Sequence, residues 1–214
     1  MDKTKSLSVP LPTVRRLPLY LKLLKQAEKE SKENISSTYI AGKLKLESIQ
    51  VRKDLASMGI TGQPGIGFTT KRLIKAIEHF LGWDNPTDAF IIGAGNLGKA
   101  LAGYEGFKEY NLNIIAAFDN DPNKVGDEIS GKKIFHKDSL AEHIQRMHVR
   151  IAILTLPSAA AQQITDILVK AGIKTIWNFT SSKLDVPEDV FVERVDLAAS
   201  LAVLSNRASK TKEI

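Results

Sequence analysis

The residues with the clearest chemical meaning form a glycine-rich turn, Gly93-Ala94-Gly95-Asn96-Leu97-Gly98. The turn follows a short apolar run, Asp88 to Ile92, and leads into a stretch with helical periodicity. Glycines at this spacing between a strand and a helix are typical of dinucleotide sites. Gly93 permits a tight turn, Gly95 lets the backbone approach a pyrophosphate, and Gly98 permits close packing of the helix, whose first N–H groups face the anion.

An acidic residue completes this pattern at the end of the next apolar run, Asn113 to Phe118. Asp119 is placed to accept a hydrogen bond from a ribose hydroxyl, and its charge would repel a 2′-phosphate. The pattern therefore favours NAD(H) over NADP(H). Because Asn120 and Asp121 follow directly, the ribose contact could instead fall on one of these two residues.

The elements that must position these residues alternate between strand and helix. Further strands are predicted at Lys132 to Phe135, Ile151 to Leu156 and Thr175 to Asn178, with helices at Ser139 to Met147 and Ala159 to Ala171. This alternation predicts a parallel sheet with helices on both faces. Ligands bind such sheets beyond the carboxyl ends of the strands. We expect one crevice there, lined by Gly93, Asp119, Thr155, Leu156, Pro157, Asn178 and Phe179.

No acid-base machinery accompanies this crevice. A Tyr-x-x-x-Lys pair is absent from the helix after the fourth strand, and none of the four histidines (His79, His136, His143 and His148) is predicted at the carboxyl end of a strand. His143 and His148 are five residues apart, so they face different sides of a helix and are expected in solvent rather than on a metal. A nucleotide pocket without catalytic groups predicts that the nucleotide is sensed.

Composition narrows the class of protein further. The chain has 214 residues and no cysteine, which excludes a disulfide framework, a cysteine-based zinc site and a thiol redox switch. No stretch approaches the roughly 20 apolar residues of a membrane span, and the first residues lack the apolar core of a signal peptide. We therefore expect a soluble cytoplasmic protein of one large or two small domains.

The positive charge of the chain, a net +6, is concentrated in its first 85 residues. Residues 1–85 hold 15 Lys or Arg and 8 Asp or Glu, a net +7, whereas residues 86–214 hold 15 and 16, a net −1. Two domains with different partners explain this division better than one uniform surface. Breaker residues between Gly82 and Thr87 mark the junction.

The basic half is predicted to consist of four helices. The segment Gly59 to Phe68, with four glycines and one proline, separates the third helix from the fourth. Pro18 falls near the start of the first helix, so Arg15 to Leu17 are expected outside its regular part, and Ser36 or Ser37 can cap the second. Three helices followed by a glycine-rich hairpin are typical of a winged-helix domain. The predicted helices are Thr13 to Glu30, Thr38 to Lys43, Glu47 to Met58 and Thr70 to Leu81.

The third helix of such a domain enters the major groove of DNA. Its polar side chains suit that role, because glutamine pairs with adenine edges and arginine or lysine with guanine. Basic residues elsewhere would attract phosphates, with an affinity that falls steeply as salt rises. A solvated basic cap on a nucleotide-binding protein is the alternative, but such a cap has no need of a glycine-rich wing. The base-reading candidates are Ser48, Gln50, Arg52 and Lys53, and the phosphate candidates are Arg15, Arg16, Lys22, Lys43 and Lys45.

Both halves together resemble the Rex family of redox-sensing transcriptional repressors. The resemblance covers nearly the full length and depends on many short matches in a fixed order. In the basic half these are Arg16-Leu17-Pro18-Leu19-Tyr20, Val51-Arg52-Lys53-Asp54-Leu55 and Gly65-Ile66-Gly67-Phe68. In the second half they are Gly93 to Leu101, Tyr104-Glu105-Gly106-Phe107, Phe118-Asp119-Asn120-Asp121-Pro122, Lys124-Val125-Gly126, Leu156-Pro157, Ala161-Gln162, Ala171-Gly172-Ile173-Lys174, Asn178-Phe179 and Val195-Asp196-Leu197.

The resemblance implies an α/β protein with three parts. These are an N-terminal winged-helix DNA-binding domain at 1–85, a Rossmann-like NAD(H)-binding domain at 86–194, and a C-terminal helix and tail at 195–214 that swap into the partner of a homodimer. It implies a repressor rather than an enzyme, with no membrane partner. The dimer would hold a pseudo-palindromic operator when NADH is scarce and release it when NADH rises.

The set of site residues is completed on the same basis. Lys124 and Tyr104 join the nucleotide site. Candidates for the switch that reads the nicotinamide are Lys22, Tyr104 and Asp196. The further operator contacts are Ser36, Ser37, Gln63, Gly65 and Gly67.

Several residues depart from the family pattern. Phe68 replaces the usual wing tyrosine, and Gln63-Pro64 stands where relatives carry a basic residue near the wing tip, so the minor-groove contact of the wing is expected to differ. Lys22 replaces an arginine, and because lysine cannot form a bidentate fork with Asp196, a weaker latch is expected. Thr180-Ser181-Ser182 stands where relatives usually have Ala-Pro.

Two other functions remain open from the sequence. An NAD-dependent oxidoreductase with a helical cap would turn over a substrate and bind no operator. A regulator that binds CoA or another nucleotide on the same fold would hold DNA regardless of NADH. Titration of a DNA complex with NADH separates all three.

Overall fold

The structure is a computed structural model that describes residues 9–210. These residues form two compact units, with the boundary in the chain between Asn85 and Pro86. No helix in this part of the chain is long and apolar enough to cross a membrane. Residues 1–8 and the end of the predicted tail, 211–214, lie outside the described residues.

The N-terminal unit contains four helices and a two-stranded antiparallel sheet, which pairs β1 (Asn34–Ile35) with β2 (Phe68–Thr69). The predicted order of three helices, glycine-rich segment and fourth helix is confirmed. Strand β1 is absent from the sequence-based prediction, because two residues carry no periodicity. The helices are α1 (Leu11–Lys29), α2 (Ser37–Leu44), α3 (Ser48–Ser57) and α4 (Thr70–Leu81).

Helix α1 contains Pro18 in its interior. A proline there lacks the N–H that would bond to the carbonyl four residues earlier, and for this reason the sequence predicts Arg15 to Leu17 outside the regular helix. This prediction is wrong, because the helix begins at Leu11. Burial of Leu17 and Leu21 holds both sides of the proline against the core.

The glycine-rich segment, residues 59–68, forms a short loop that we call the wing. The N–H of Gln63 donates to the carbonyl of Gly67 at 2.7 Å, and the N–H of Gly67 donates back at 2.8 Å. Gly65 and Gly67 have φ of 74° and 90°, which other residues rarely adopt. A Cβ at Gly67 would also lie 2.5 Å from the carbonyl oxygen of Ile35. The two glycines therefore shape the wing and allow its base to lie against β1.

The C-terminal unit is built on a seven-stranded sheet. Its strands are β3 (Thr87–Ile92), β4 (Leu112–Asp119), β5 (Glu128–Ile129), β6 (Lys132–His136), β7 (Ile151–Leu154), β8 (Thr175–Asn178) and β9 (Phe191–Arg194). The order is β5-β6-β4-β3-β7-β8-β9, and every neighbouring pair is parallel except β5 with β6. The six parallel strands have the doubly wound order of dinucleotide-binding domains, so the predicted Rossmann-like fold is confirmed.

Helices cover the two faces of this sheet, and a further helix follows its last strand. Those on the faces are α5 (Asn96–Ala102), α6 (Leu140–Met147) and α7 (Ser158–Ala171), and the one after the last strand is α8 (Leu197–Lys210), with 3-10 helices at Glu105–Tyr110 and Lys137–Ser139. Phe90 and Phe118 pack in one cluster with residues of α6 and α7, whereas Ala89 and Ile91 pack in another with Ala102 of α5. The unbroken apolar run of β3 fills both clusters because successive side chains point to opposite faces. The carboxyl ends of β3, β4, β7 and β8 share one edge, as predicted.

Helix α8 exposes its leucines and its valine, which are 59–67% exposed. Three of them, Leu197, Leu201 and Leu204, recur at the spacing of one helix face. The helix extends to Lys210, beyond the predicted end at Leu204. Its exposed leucine face leaves it without a place in its own sheet.

Candidate functional site

The glycine-rich turn begins directly after β3 and is shaped by the backbone around it. Gly93 has φ of 108°, and its N–H donates to the carbonyl of Phe118 at 2.7 Å. A Cβ at Gly93 would lie 2.8 Å from the carbonyl of Thr155, and one at Gly98 would lie 2.0 Å from the carbonyl oxygen of Gly93. The packing of the turn is therefore enough to require glycine at both positions, whether or not a ligand binds.

Gly95 has no such reason to be glycine. Its φ is −81°, and a Cβ there would meet no atom within 4 Å. The result is an open cradle at the start of α5, where the first N–H groups of a helix lack intrahelical acceptors and where Asn96 and Leu97 are exposed. The cradle fits the pyrophosphate of a dinucleotide, which approaches the backbone closely at this glycine.

Asp119 ends β4 beside this turn and is 8% exposed. Its Oδ2 accepts hydrogen bonds from the N–H of Ala94 at 2.7 Å and from Nζ of Lys124 at 3.1 Å, and its Oδ1 accepts from the N–H of Asp121 at 2.9 Å. Burial raises the pKa of Asp119, but these hydrogen bonds outweigh burial and hold the pKa below its ordinary value. Because a carboxylate has about four acceptor sites, Asp119 can brace the turn and still accept a ribose hydroxyl.

Lys124 partly neutralises the negative charge of Asp119 and Asp121. Nζ of Lys124 also lies 3.9 Å from the Asp121 carboxylate. Asn120, between the two aspartates, is exposed. The alternative ribose contacts at Asn120 and Asp121 therefore lie at the same strand end as Asp119, and the choice among the three stays a prediction.

Two residues predicted to touch the nucleotide have their polar atoms occupied within the protein. The hydroxyl of Thr155 donates to the carbonyl of Gly93 at 2.8 Å and so joins the end of β7 to the turn. The amide of Asn178, which is 1% exposed, donates to the carbonyl of Ser182 and accepts from the N–H of Thr180, both at 2.9 Å. Both side chains therefore hold the backbone at this edge in place, and their contact with the nucleotide stays a prediction. The remaining residues at this edge are at least partly exposed: Leu156, Pro157 and Phe179.

The sequence-based placement of two histidines is wrong. His136 is the last residue of β6 and pairs with Asp119 in the sheet register, so one histidine does lie at the carboxyl end of a strand. His143 is 6% exposed, its Nδ1 lies 2.8 Å from the carbonyl oxygen of Ser139, and its ring centroid is 4.4 Å from that of Phe135. It belongs to the buried face of α6, not to solvent. Within residues 9–210, no group of three or more acidic or histidine side chains is arranged to hold a metal ion.

Tyr104 follows α5 and is 57% exposed. Its ring packs edge-to-face on Phe107, with centroids 4.9 Å apart, and Phe107 lies 5.7 Å from Trp177 on β8. A Cβ at Gly106 would lie 2.6 Å from the Tyr104 ring, so this glycine makes room for it. The ring of Tyr104 is thus held in place by Phe107 but remains exposed, so it is available to a ligand or a partner.

A buried carboxylate joins α1 to α3 in the N-terminal unit. Asp54, 1% exposed, forms a two-pronged ion pair with Arg16, in which Nε donates to Oδ2 and Nη2 to Oδ1, each at 2.7 Å. The hydroxyls of Thr13 and Tyr20 donate to it at 2.9 and 2.6 Å, and Nε2 of Gln50 donates at 2.8 Å. This network fixes α3 against α1.

The network also gives Arg16 a structural role. Burial raises the pKa of Asp54, but hydrogen bonds from Arg16, Tyr20 and Gln50 outweigh burial and lower it to about 2. The hydrogen bond to Asp54 raises the pKa of Arg16. Arg16, predicted to attract phosphates, also clamps the two helices through Nε and Nη2 of its guanidinium, and its phosphate contact stays a prediction.

Gln50 is held by the same carboxylate. A carboxylate can only accept, so the side-chain amide must present Nε2 to Asp54. The amide orientation is therefore fixed, with Oε1 and the second N–H left for a base edge. A donor beside an acceptor is the pattern that reads adenine.

The exposed face of α3 carries Arg52 and Lys53 as predicted, while Ser48 at the start of the helix is half-buried. It also carries Ile49, which is 56% exposed and absent from the predicted contacts. Apolar side chains in the major groove contact the methyl group of thymine. The sequence could have indicated Ile49, because it is an apolar residue of α3 that does not belong to the buried face of that helix.

The start of α2 faces the wing and α3 across a groove of about 510 Å³. Ser36 caps α2, because its hydroxyl accepts from the N–H of Tyr39 at 3.0 Å. Ser36, Ser37, Arg52 and Gln63 line this groove together, so four predicted DNA contacts share one surface. The remaining phosphate candidates are exposed: Arg15, Lys22, Lys43 and Lys45.

Two candidates for the switch lie in different units. Lys22 is exposed on α1. Asp196 accepts from Nη2 of Arg194 at 3.1 Å and from the N–H of Ala199 at 3.1 Å, which caps the start of α8. The latch between Lys22 and Asp196 therefore stays a prediction.

The chain matches two described families. Residues 8–56 match "Putative DNA-binding protein N-terminus" and residues 84–182 match "CoA binding domain". Proteins named redox-sensing transcriptional repressor Rex are similar over most of the chain. The one from Treponema denticola is 53% identical, covering 90% of this chain and 92% of that protein. The one from Bacteroides thetaiotaomicron is 42% identical, covering 97% and 93%.

Solved structures agree with these relatives. A structure described as RSP in complex with beta-NAD+ and operator DNA is 36% identical, with a TM-score of 0.90 over 95% of this chain and 94% of that one. RSP in complex with beta-NADH is 35% identical, with a TM-score of 0.83 over 96% of each chain. RSP is described as a Rex-family repressor.

Proposed function

The chain belongs to the Rex family of redox-sensing transcriptional repressors, and from this premise we propose that it binds operator DNA through its N-terminal unit and NAD(H) through its C-terminal unit. It holds the operator when NADH is scarce and releases it on binding NADH. The curated relatives are repressors, so the chain is a regulator and not an enzyme. We place this activity in the cytoplasm, with access to DNA.

The observation that carries the proposal is the cradle at Gly95. Two glycines of the turn are needed for packing, and the third leaves open space against backbone N–H groups. A bound dinucleotide supplies a pyrophosphate anion for that space and, through its nicotinamide, a ring whose charge depends on redox state. Asp119 orients the adenosine ribose, and the edge formed by Leu156, Pro157 and Phe179 borders the crevice.

The DNA contacts are assigned to α3, the start of α2 and the wing. Gln50 and Lys53 read the major groove, while Arg52 lies with Ser36, Ser37 and Gln63 along the adjoining groove beside the wing. Gly65 and Gly67 set the shape of the wing. Two copies of this surface in a homodimer match a pseudo-palindromic operator.

The partner of the homodimer is assigned to the exposed leucine face of α8. Leu197, Leu201 and Leu204 are each more than 60% exposed in the single chain, and an apolar face of this size is typical of an interaction site. The swapped arrangement brings Asp196 of each protomer toward the other. Tyr104 and Lys22 are the residues through which we expect this exchange to depend on the nucleotide.

Coupling between the two ligands must be reciprocal. If NADH weakens operator binding by some factor, the operator weakens NADH binding by the same factor. Typical couplings of about 1–3 kcal/mol correspond to changes of about 5- to 150-fold. Equal NADH affinity with and without operator would contradict the two-state proposal.

Fluorescence anisotropy of a labelled duplex tests the proposal directly. The duplex is selected from a random-sequence pool with the full chain, and the complex is titrated with NADH, NAD⁺, NADPH and CoA. Release by NADH at the lowest concentration supports the proposal. Release by CoA alone would favour the other nucleotide-binding regulator, and a complex indifferent to all four would refute sensing.

A further inference from the structure

The wing is a ridge with a groove on each side. The groove toward α3, of about 510 Å³, is lined by Ser36 and Arg52. The groove toward α4, of about 370 Å³, is lined by Arg72 and Leu73. Both grooves share Gln63 of the wing. The groove on each side of the wing is therefore lined by one arginine.

The crest of this ridge has no charge. Residues 59–68 contain no Lys, Arg, Asp or Glu. Pro64 is exposed, and Ile66 is 55% exposed. Proline and isoleucine are among the apolar residues that proteins place into the minor groove.

Arg72 has its charge available. It is exposed at the start of α4, and among the described residues it forms no salt bridge. Lys75, one turn further along α4, is also exposed but does not line the groove. Arg72 and Lys75 thus carry the same charge and lie on the same helix, but only Arg72 lies beside the wing.

A DNA minor groove has the complementary form. It is about 6 Å wide and is bounded on each side by the phosphates of one strand. An uncharged crest can face the base edges while a cation at each foot faces one of the two strands. A cation on only one side would leave the second strand without a charged contact.

The family resemblance already implies a minor-groove contact for the wing, and we propose that Arg72 contacts the phosphates of one strand beside it while Arg52 contacts those of the other. This inference rests on the proposed operator binding and deepens it. It gives α4 a direct contact with DNA. It also explains how a wing with Gln63-Pro64 at its tip can stay bound in the minor groove without a cation at that tip.

The salt dependence of binding tests the role of Arg72. Affinity for the selected duplex is measured by anisotropy between 50 and 200 mM KCl for Arg72→Gln and for the matched control Lys75→Gln. Each lost phosphate contact lowers the slope of log K against log[salt] by about 0.9, so Arg72→Gln should lower it by about 1.8 in a dimer with two wings. Lys75→Gln should leave the slope unchanged, and Arg72→Lys should restore it.

Minor-groove analogues test the position of the crest. Replacing adenine by 2,6-diaminopurine adds an amino group in the minor groove, and replacing guanine by inosine removes one. Either change under the wing should alter affinity by about fivefold or more. No effect at any position, or equal slopes for Arg72→Gln and Lys75→Gln, would overturn the inference while operator binding stands. Failure of the wild-type chain to bind any duplex would overturn the proposed function as well.

Discussion

Replacing Gly95 with alanine should remove nucleotide binding and leave the fold intact. With φ of −81° and no atom within 4 Å of the added Cβ, alanine fits the position without strain. The free energy of unfolding should change by no more than about 0.5 kcal/mol. For a chain of this size that change corresponds to a shift in Tm of about 2 °C or less.

The loss in binding follows from the same open space. The added methyl group would occupy the place where a pyrophosphate must reach the N–H groups of the turn. A hydrogen bond to a charged group contributes about 1.5–3 kcal/mol, and about 1.4 kcal/mol is tenfold in affinity. Loss of one such bond should weaken NADH binding about 10- to 150-fold.

Calorimetric titration with NADH and a thermal melt measure the two effects separately. Gly98→Ala is the control, because its Cβ would lie 2.0 Å from the carbonyl oxygen of Gly93 and overpacking should lower stability by about 1–3 kcal/mol. Gly95→Ala should still bind operator, but NADH at wild-type concentrations should no longer release it. Wild-type NADH affinity in Gly95→Ala would refute the assignment of this turn to the pyrophosphate.

Three further predictions concern the N-terminal unit and α8. Because the folded-state pKa of Asp54 is lowered to about 2 from 3.8, its ionisation stabilises the fold above pH 4, and about 2 kcal/mol of the free energy of unfolding is lost as pH falls toward 2. In urea melts the stability difference between wild type and Asp54→Asn should therefore shrink over that interval, and a constant difference would contradict this prediction. Replacing thymines of the operator one at a time by deoxyuridine, which lacks the methyl group, should weaken the wild type at one position per half-site and leave Ile49→Ala unaffected; equal sensitivity would count against the methyl contact. Leu201→Glu should sediment as a monomer and bind operator weakly, whereas an unchanged dimer would show that the α8 face is not the interface.

The sheet could be predicted because its sequence signals are local. The run Asp88 to Ile92 is apolar at successive positions, as a strand buried on both faces requires. Gly93 and Gly98 mark the turn, and the parallel topology then places Asp119 at the same edge. Strand β5 has only two residues, and β9 ends in the charged pair Glu193-Arg194, so neither edge strand shows the apolar run by which the central strands could be predicted.

The polar network on Asp54 could not be predicted in this way. A charged residue on a helix is expected in solvent, and only the packing of α1 against α3 buries this one. The same packing engages Arg16 in an ion pair and limits Gln50 to one amide orientation. His143 is a similar case, because one turn of α6 decides whether its ring faces Phe135 or water.

The Asp54 network also bears on how a signal can reach DNA. Arg16 and Tyr20 on α1 both bond to Asp54 on α3, and a shift of α1 that broke these bonds while Asp54 stayed buried would cost about 3–5 kcal/mol. That cost exceeds a typical allosteric coupling of about 1–3 kcal/mol. A force applied at Lys22 on α1 should therefore move α1 and α3 together as one body. Repression would end through a change in the spacing of the two recognition helices, since a palindromic operator requires both half-sites to be met at once.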